Sequence, residues 1–310
     1  MSTPTGSGAV TASGTHAAPR TGGTGADAGS GGPPVALTIA GSDSGSGAGL
    51  QADLKAMSAL GVFATTVVTA VTAQDTASVT AVHPVPTDIV AAQLDAVLGD
   101  FAVAATKTGM LATTATVRLV ADRARAGALP NLVVDPVMVA STGRRLLDDD
   151  AVDAYRTLLV PEALLVTPNL YEAAILAGVA PVEGADVDTL VELARRVHEL
   201  GPRWVLVKGG HLPGVHGTDG AVAPPRVADV LVGGPEPVVL EESLVVTANN
   251  HGTGCSLASA TAALLAGGAG VPEAVAGAKR FVHGALAGAA GWHLGRGHGP
   301  LDPFGWGPRS

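Results

Sequence analysis

From Val35 onward, short unbroken apolar runs alternate with segments of helical periodicity, and this alternation limits the possible folds more than any other feature. "VALTIAG" (35–41) is apolar throughout and ends in glycine, the pattern of a strand buried on both faces. "LQADLKAMSAL" (50–60) follows, with Leu50, Leu54, Met57 and Leu60 at helical spacing. The β-branched "VFATTVVTAV" (62–71) predicts a second strand, and "TDIVAAQLDAVLGD" (87–100) a helix capped by Thr87. "LVVD" (132–135), "ALLVT" (163–167) and "WVLVK" (204–208) are further strand candidates, and "LVELARRVHEL" (190–200) is an amphipathic helix. Residues 227–247 predict a hairpin across Gly233-Gly234, then one more strand, and the hairpin is a candidate flap. Repeated β–α–β units imply an α/β fold with a mostly parallel sheet and helices on both faces. Ligands of such sheets bind beyond the carboxyl ends of the strands, so the residues just after each strand are the candidates for chemistry.

The chain of 310 residues can bury a full core, built here of Ala, Val and Leu because aromatics are only 3%. Residues 34–310 are expected to form one domain. Residues 1–33 are Gly/Ser/Thr/Ala-rich, too poor in large apolar side chains to pack, and predict a disordered arm. That start lacks the apolar stretch of a signal peptide, and one cysteine makes no internal disulfide, so a cytoplasmic location is expected. The formal charge is −9 and no Lys/Arg run exceeds a pair, which argues against a nucleic-acid partner. Mean hydropathy is +0.36. The longest chargeless window, Ser243 to Pro272, is broken by Asn249-Asn250-His251-Gly252 and by Gly267-Gly268. Its helical part falls short of the ~20 residues a membrane span needs, so a buried core helix is expected and no membrane partner.

Six short runs carry candidate chemistry. "GSDSGSGAGLQAD" (41–53) is a glycine-rich turn between strand and helix, whose backbone N–H groups could approach a ligand. Its G-x-G-x-G spacing is not the dinucleotide fingerprint, and the next acid after Asp53 is Asp75, too late for the ribose. No Gly-Lys-Ser/Thr exists for a Walker motif. In "VTAQDT" (71–76), Gln74 offers donors and an acceptor in one plane, which suits an aminopyrimidine edge. A solvated loop residue is the plainer alternative. In "VVDPVM" (133–138), Asp135 ends a strand and is well placed for Mg²⁺, or is an ordinary turn residue. In "TPNLYEAAILAG" (167–178), Asn169 and Glu172 can face one way at a helix start, either toward a Mg²⁺–nucleotide or as a capping pair. "VKGGHL" (207–212) adds Lys208 and two glycines at a strand end. In "NNHGTGCSLASATAALLAGG" (249–268), Gly252, Thr253, Gly254 and the single cysteine, Cys255, open a helix. Unpaired N–H groups and the helix dipole favour anions there, including a transferring phosphoryl group. The same field is expected to lower the thiol pKa, so that Cys255 could take a proton from an attacking hydroxyl. The alternative is an inert buried cysteine.

Taken in order, "TIAGSDSGSGAGLQADLK", "VTAVTAQDT", "KTGML", "VVDPVMVASTG", "TPNLYEA", "VKGGHL" and "HGTGCSLASA" resemble the hydroxymethylpyrimidine/phosphomethylpyrimidine kinases of thiamine biosynthesis, in the ribokinase-like superfamily. The resemblance spans about residues 35 to 302. It implies a three-layer α/β/α sandwich with a mostly parallel central sheet, and two ATP-dependent phosphorylations: of 4-amino-5-hydroxymethyl-2-methylpyrimidine, then of its monophosphate. It implies ATP and Mg²⁺ as cofactors, and a homodimer. By the same resemblance Cys255 is the base within a Gly252-Thr253-Gly254 anion cradle. Gln74, Asp53, Gly41 and Met110 fall on the substrate side, Asp135 and Glu172 on the Mg²⁺ side, and Lys208, Gly209 and Asn169 toward ATP. Three positions depart from the family pattern: Asn250 replaces a usual threonine, Asp75 an asparagine and Tyr171 a frequent proline. The nearest alternative is a pyridoxal, pyridoxine or pyridoxamine kinase. A non-catalytic nucleotide-binding protein and a nicotinamide-dependent oxidoreductase are the others.

Overall fold

Among the residues described by the computed structural model (31–138, 149–181, 184, 186–211 and 225–307), nine strands join into one sheet. They are β1 (Val35–Asp43), β2 (Phe63–Gln74), β3 (Val79–Pro84), β4 (Val103–Thr108), β5 (Leu132–Val134), β6 (Leu165–Val166), β7 (Trp204–His211), β8 (Arg226–Val232) and β9 (Val238–Ser243). Their order is β3-β2-β1-β4-β5-β6-β7-β8-β9. The six strands from β2 to β7 in that order are parallel, while β3 at one edge and β8 and β9 at the other are antiparallel. The chain places β2 and β3 on one side of β1 and every later strand on the other. The order therefore reverses between β1 and β4, and such a switch point opens a crevice at the carboxyl ends.

Helices cover both faces. On one lie α1 (Gly49–Ala59), α7 (Thr253–Ala266) and α8 (Val271–Ala289). On the other lie α2 (Thr87–Asp100), α3 (Thr114–Arg125), α4 (Asp149–Ala154), α5 (Leu170–Ala177) and α6 (Val187–His198). The alternation within β5 shows the two cores directly: Leu132 and Val134 pack into one, Val133 into the other. The buried alanines of α7 (Ala258, Ala260, Ala262, Ala263) let its backbone approach the sheet closely. The result is the expected α/β/α sandwich, and residues from Pro33 on form one compact unit. No described helix is long and apolar enough to cross a membrane.

Several local expectations change. Thr87 does not cap α2; Pro86 holds the N-cap position, no side chain caps it, and Thr87 is the first helical residue. Residues 244–247 form no strand. The hairpin of β8 and β9 is not a flap, because β8 pairs with β7, buries Ala228, Val230 and Leu231, and is tied to α8 by a 2.6 Å Lys279–Asp229 ion pair. The apolar pattern passes over β3, α3, α8 and β4. In β4 a lysine interrupts the run, and the partner that makes its burial tolerable lies far away in sequence. Residues 1–30, most of the expected arm, lie outside the described residues, as do 139–143 of "VVDPVMVASTG" and Leu212.

Candidate active site at the switch point

A cavity of about 230 Å³ opens at the carboxyl ends of β1, β4, β5, β6 and β7, against the start of α7. Gly41, Gln74, Met110, Asp135, Asn169, Glu172, Lys208 and the run Gly252-Thr253-Gly254-Cys255 all line it. Residues more than 200 positions apart in the chain thus meet because each follows a strand end or opens a helix.

Gln74 ends β2, half-buried. Its Oε1 accepts from Thr72 Oγ1 at 3.2 Å, and its Nε2 lies 3.2 Å from His251 Nε2. Those contacts orient the amide plane and leave it a further N–H for a ligand edge. Gly41 lies where any Cβ would run into the Met110 side chain, so glycine is what allows Met110 to reach the cavity.

The glycine-rich turn works differently from the expectation. The amides of Gly45, Gly47 and Ala48 donate to the Asp43 carboxylate at 2.8, 3.1 and 2.8 Å, rather than being left for a ligand. His251 Nε2 sits 3.1 Å from Asp43 Oδ2. These donors outweigh burial and hold the Asp43 pKa below the ordinary carboxylate value. A Cβ on Gly47 would collide with the His251 ring, and one on Gly252 with the Gly47 carbonyl. The glycines therefore serve close packing of the β1–α1 turn against the α7 turn. Asp43 and His251 are the residues that sequence reasoning missed. Both stand inside the quoted runs, but nothing local shows that they meet.

Gly252, at φ +84°, turns the chain into α7, and no side chain caps that helix. A left-handed residue there favours glycine. The uncapped first turn faces the cavity and offers its dipole and amides to an anion. Cys255 stands in that turn, yet its thiol is not acidified. Burial pushes its pKa up to about 11, and the carboxylates of Asp53 and Asp135 add to the rise. The nearby Lys107 ammonium and the Gly49 amide only partly offset it. The expected lowering by the helix field loses to desolvation, and Cys255 rests as a neutral thiol.

Beside that turn Asp135 Oδ1 accepts from Lys208 Nζ at 2.9 Å and from Thr167 Oγ1 at 3.1 Å. Burial opposes the ammonium, but Asp135 and Glu172 together raise the Lys208 pKa. Asn169 and Glu172 do form the capping pair: Glu172 N donates to Asn169 Oδ1 at 2.8 Å and Asn169 N to Glu172 Oε2 at 2.9 Å. Both also line the cavity. Burial, with Asp135 adding to it, pushes the Glu172 pKa up to about 7 despite Lys208.

Two candidate residues lie elsewhere. Asp53 is wholly buried beneath the cavity, where Lys107 Nζ donates to both its oxygens at 2.9 Å. Thr38 Oγ1 and Ser259 Oγ donate to it as well, at 2.6 and 2.5 Å. With those partners and no lining position, Asp53 is a structural anchor rather than a substrate contact. Lys107, unremarked beyond its place in "KTGML", does reach the lining. Gly209 also stands off the lining; its amide donates to Asp229 Oδ1 at 3.2 Å, and a Cβ would strike Leu190 and the Ala228 carbonyl.

Residues 43–302 match the family model described as phosphomethylpyrimidine kinase. The chain is 46% identical over 270 residues to a hydroxymethylpyrimidine/phosphomethylpyrimidine kinase of Rhizobium meliloti, covering 87% of this chain and 97% of the relative. Among solved structures it resembles an ADP complex of Bacillus subtilis pyridoxal kinase (TM-score 0.76, 36% identity, 87% of this chain and 97% of that one). It also resembles phosphomethylpyrimidine kinase from Clostridium difficile (TM-score 0.69, 35% identity, 82% and 99%). Family match, identity over nearly the full length of the relative and a shared fold agree with the cavity's residues: the chain belongs to the phosphomethylpyrimidine kinase family, with a ribokinase-like fold.

Proposed function

We propose that this protein transfers the terminal phosphoryl group of ATP to the hydroxymethyl oxygen of 4-amino-5-hydroxymethyl-2-methylpyrimidine. A second ATP-dependent transfer then takes the monophosphate to the diphosphate. The observation that carries this reading is one cavity with two chemically different ends. Gln74 and Met110 offer a planar amide and an apolar contact to a flat heterocycle, while the uncapped α7 start and Lys208 offer positive potential to phosphate.

The family membership supports ATP as the phosphoryl donor. The transferring group carries spread negative charge through a loose transition state, so positioning and electrostatics dominate the catalysis. The amides of the Gly252–Cys255 turn stabilise that charge, and Lys208 beside the turn neutralises further oxygens. Cys255 lies in reach of the attacking hydroxyl and receives its proton. A thiol at about 11 is mostly protonated near neutral pH, so its thiolate is scarce but strongly basic. The Lys107 ammonium beside it favours that thiolate. A loose transition state asks little of the base until late, so Cys255 contributes less than the amide cradle.

Asp135 and Glu172 fit Mg²⁺. Both carboxylates are buried on the cavity lining, Asp135 paired with Lys208 at 2.9 Å, and burial together with Asp135 disfavours a charged Glu172, which a nearby divalent cation would favour. Bound there through water, Mg²⁺ would neutralise phosphate oxygens. Work in the cytoplasm, as a homodimer, belongs to the same proposal.

A second reading, a pyridoxal kinase, draws on the likeness to the Bacillus subtilis enzyme. The deciding experiment offers hydroxymethylpyrimidine, its monophosphate and pyridoxal separately, and follows ADP release with product identification by mass spectrometry. Turnover of the first two is expected. Turnover of pyridoxal alone moves the substrate to vitamin B6, and turnover of none overturns the kinase reading.

A further inference from the structure

The residues 295–300, "GRGHGP", lie close against two loops of the cavity's pyrimidine end. Thr76, two residues beyond Gln74, is the hub on one side. Its Oγ1 accepts from the amides of Arg296 and Gly297 at 3.1 and 3.0 Å, and its carbonyl accepts from the amide of His298 at 2.9 Å. On the other side the amide of His251 donates to the Gly299 carbonyl at 3.1 Å, and His251 and Pro300 form a parallel bridge. Glycine is required at all three alternate positions. A Cβ on Gly295 or Gly297 would strike Thr76, and one on Gly299 the Asn249 side-chain oxygen.

Two side chains complete the contact. Arg296 meets Asp75 at 2.7 Å, and His298 Nδ1 lies 3.0 Å from Asn250 Oδ1. Asp75 and Asn250 are two of the positions that depart from the family pattern. The Arg296 side chain is 78% exposed, so its ion pair contributes little by itself and the backbone bonds to Thr76 dominate.

We propose that residues 295–300 are a clasp that fixes the distance between Gln74 and the His251–Gly252 turn, and that Thr76, Arg296 and His298 are positioning residues for the pyrimidine. The inference rests on the assignment of Gln74 to the pyrimidine end. The Gln74 amide nitrogen lies 3.2 Å from the ring of the same His251 that the clasp holds, so loosening the clasp shifts Gln74 and the α7 turn relative to each other. The nucleotide contacts at Lys208 and Asn169 make none of these bonds, whereas the turn that opens α7 does. A clasp therefore acts on pyrimidine binding and on turnover through the α7 amides, and not on ATP affinity.

The test is steady-state kinetics of the full chain, varying pyrimidine and ATP separately. Thr76→Val removes the acceptor at nearly constant shape, and Thr76→Ser restores it. Thr76→Val is expected to raise KM for hydroxymethylpyrimidine about tenfold, with KM for ATP unchanged, and Thr76→Ser to return the wild-type value. Wild-type pyrimidine KM in Thr76→Val, or an equal rise for both substrates, overturns the clasp. Should Thr76→Val fail to fold, Arg296→Ala combined with His298→Ala, both exposed, is read the same way for a smaller rise. Gln74→Leu runs alongside. If it too leaves pyrimidine KM unchanged, the assignment of the pyrimidine end falls, and the clasp with it. If it raises KM while Thr76→Val does not, only the clasp falls.

Discussion

Cys255 shows how burial can reverse an inference drawn from local sequence. Its place at a helix start favours a thiolate, but partial burial and two nearby carboxylates disfavour the charged form, and the pKa rises to about 11. Iodoacetamide should therefore label this single thiol slowly near pH 8. Labelling is expected to speed up about tenfold per pH unit toward pH 11, as the thiolate fraction grows. Mass spectrometry of quenched samples reads this directly, and a rate already at its plateau by pH 8 would contradict it. In catalysis, Cys255→Ala is expected to lower kcat about 10²-fold with little change in KM. Wild-type kcat in that variant returns the thiol to the inert class.

In the proposed mechanism, the start of α7 is the element on which phosphoryl transfer depends. Gly252 supplies the left-handed entry, His251 ties the turn to Asp43 and packs beside Gln74, and the small residues of the helix let it sit close to the sheet. A Cβ on Gly254 would lie 3.0 Å from Lys208 Nζ and 3.9 Å from Asp135 Oδ2, filling the space where an anion would meet the amides. The nearest atom is the end of a flexible side chain, so the fold can accommodate the change. Gly254→Val is thus expected to leave the melting temperature near wild type while cutting turnover about 10²–10³-fold. Unchanged turnover would remove the anion cradle from the mechanism. The same turn was legible in the sequence as a glycine-flanked helix start. Its dependence on Asp43 was not, because the hydrogen-bonding capacity of the β1–α1 turn gives no local sign that its own aspartate consumes it.

Across the whole molecule, the Asp53–Lys107 pair joins β1, β4, α1 and α7 beneath the cavity. Both side chains are fully buried, so removing one leaves the other charged and unpaired. Asp53→Ala is expected to destabilise the fold by about 3–5 kcal/mol, and Asp53→Leu with Lys107→Met to recover most of that loss. Urea unfolding compares the three proteins, and a loss within about 0.5 kcal/mol of wild type would mean the pair is not a structural anchor.

The sequence alone determined the layered α/β/α architecture, because unbroken apolar runs and helical spacing are local consequences of which faces must be buried. It also pointed to the strand ends that line the cavity, since a polar residue directly after a buried strand stands at the sheet's rim wherever that strand lies. Only the tertiary structure decided which polar groups consume one another. Asp53 became an anchor for Lys107, the glycine-turn amides bound Asp43, and Thr76 and Asn250 met the "GRGHGP" segment more than 200 residues after Thr76 and 48 after Asn250. Each outcome depends on distance and desolvation between segments remote in the chain, and neither is encoded in the spacing of residues within a run.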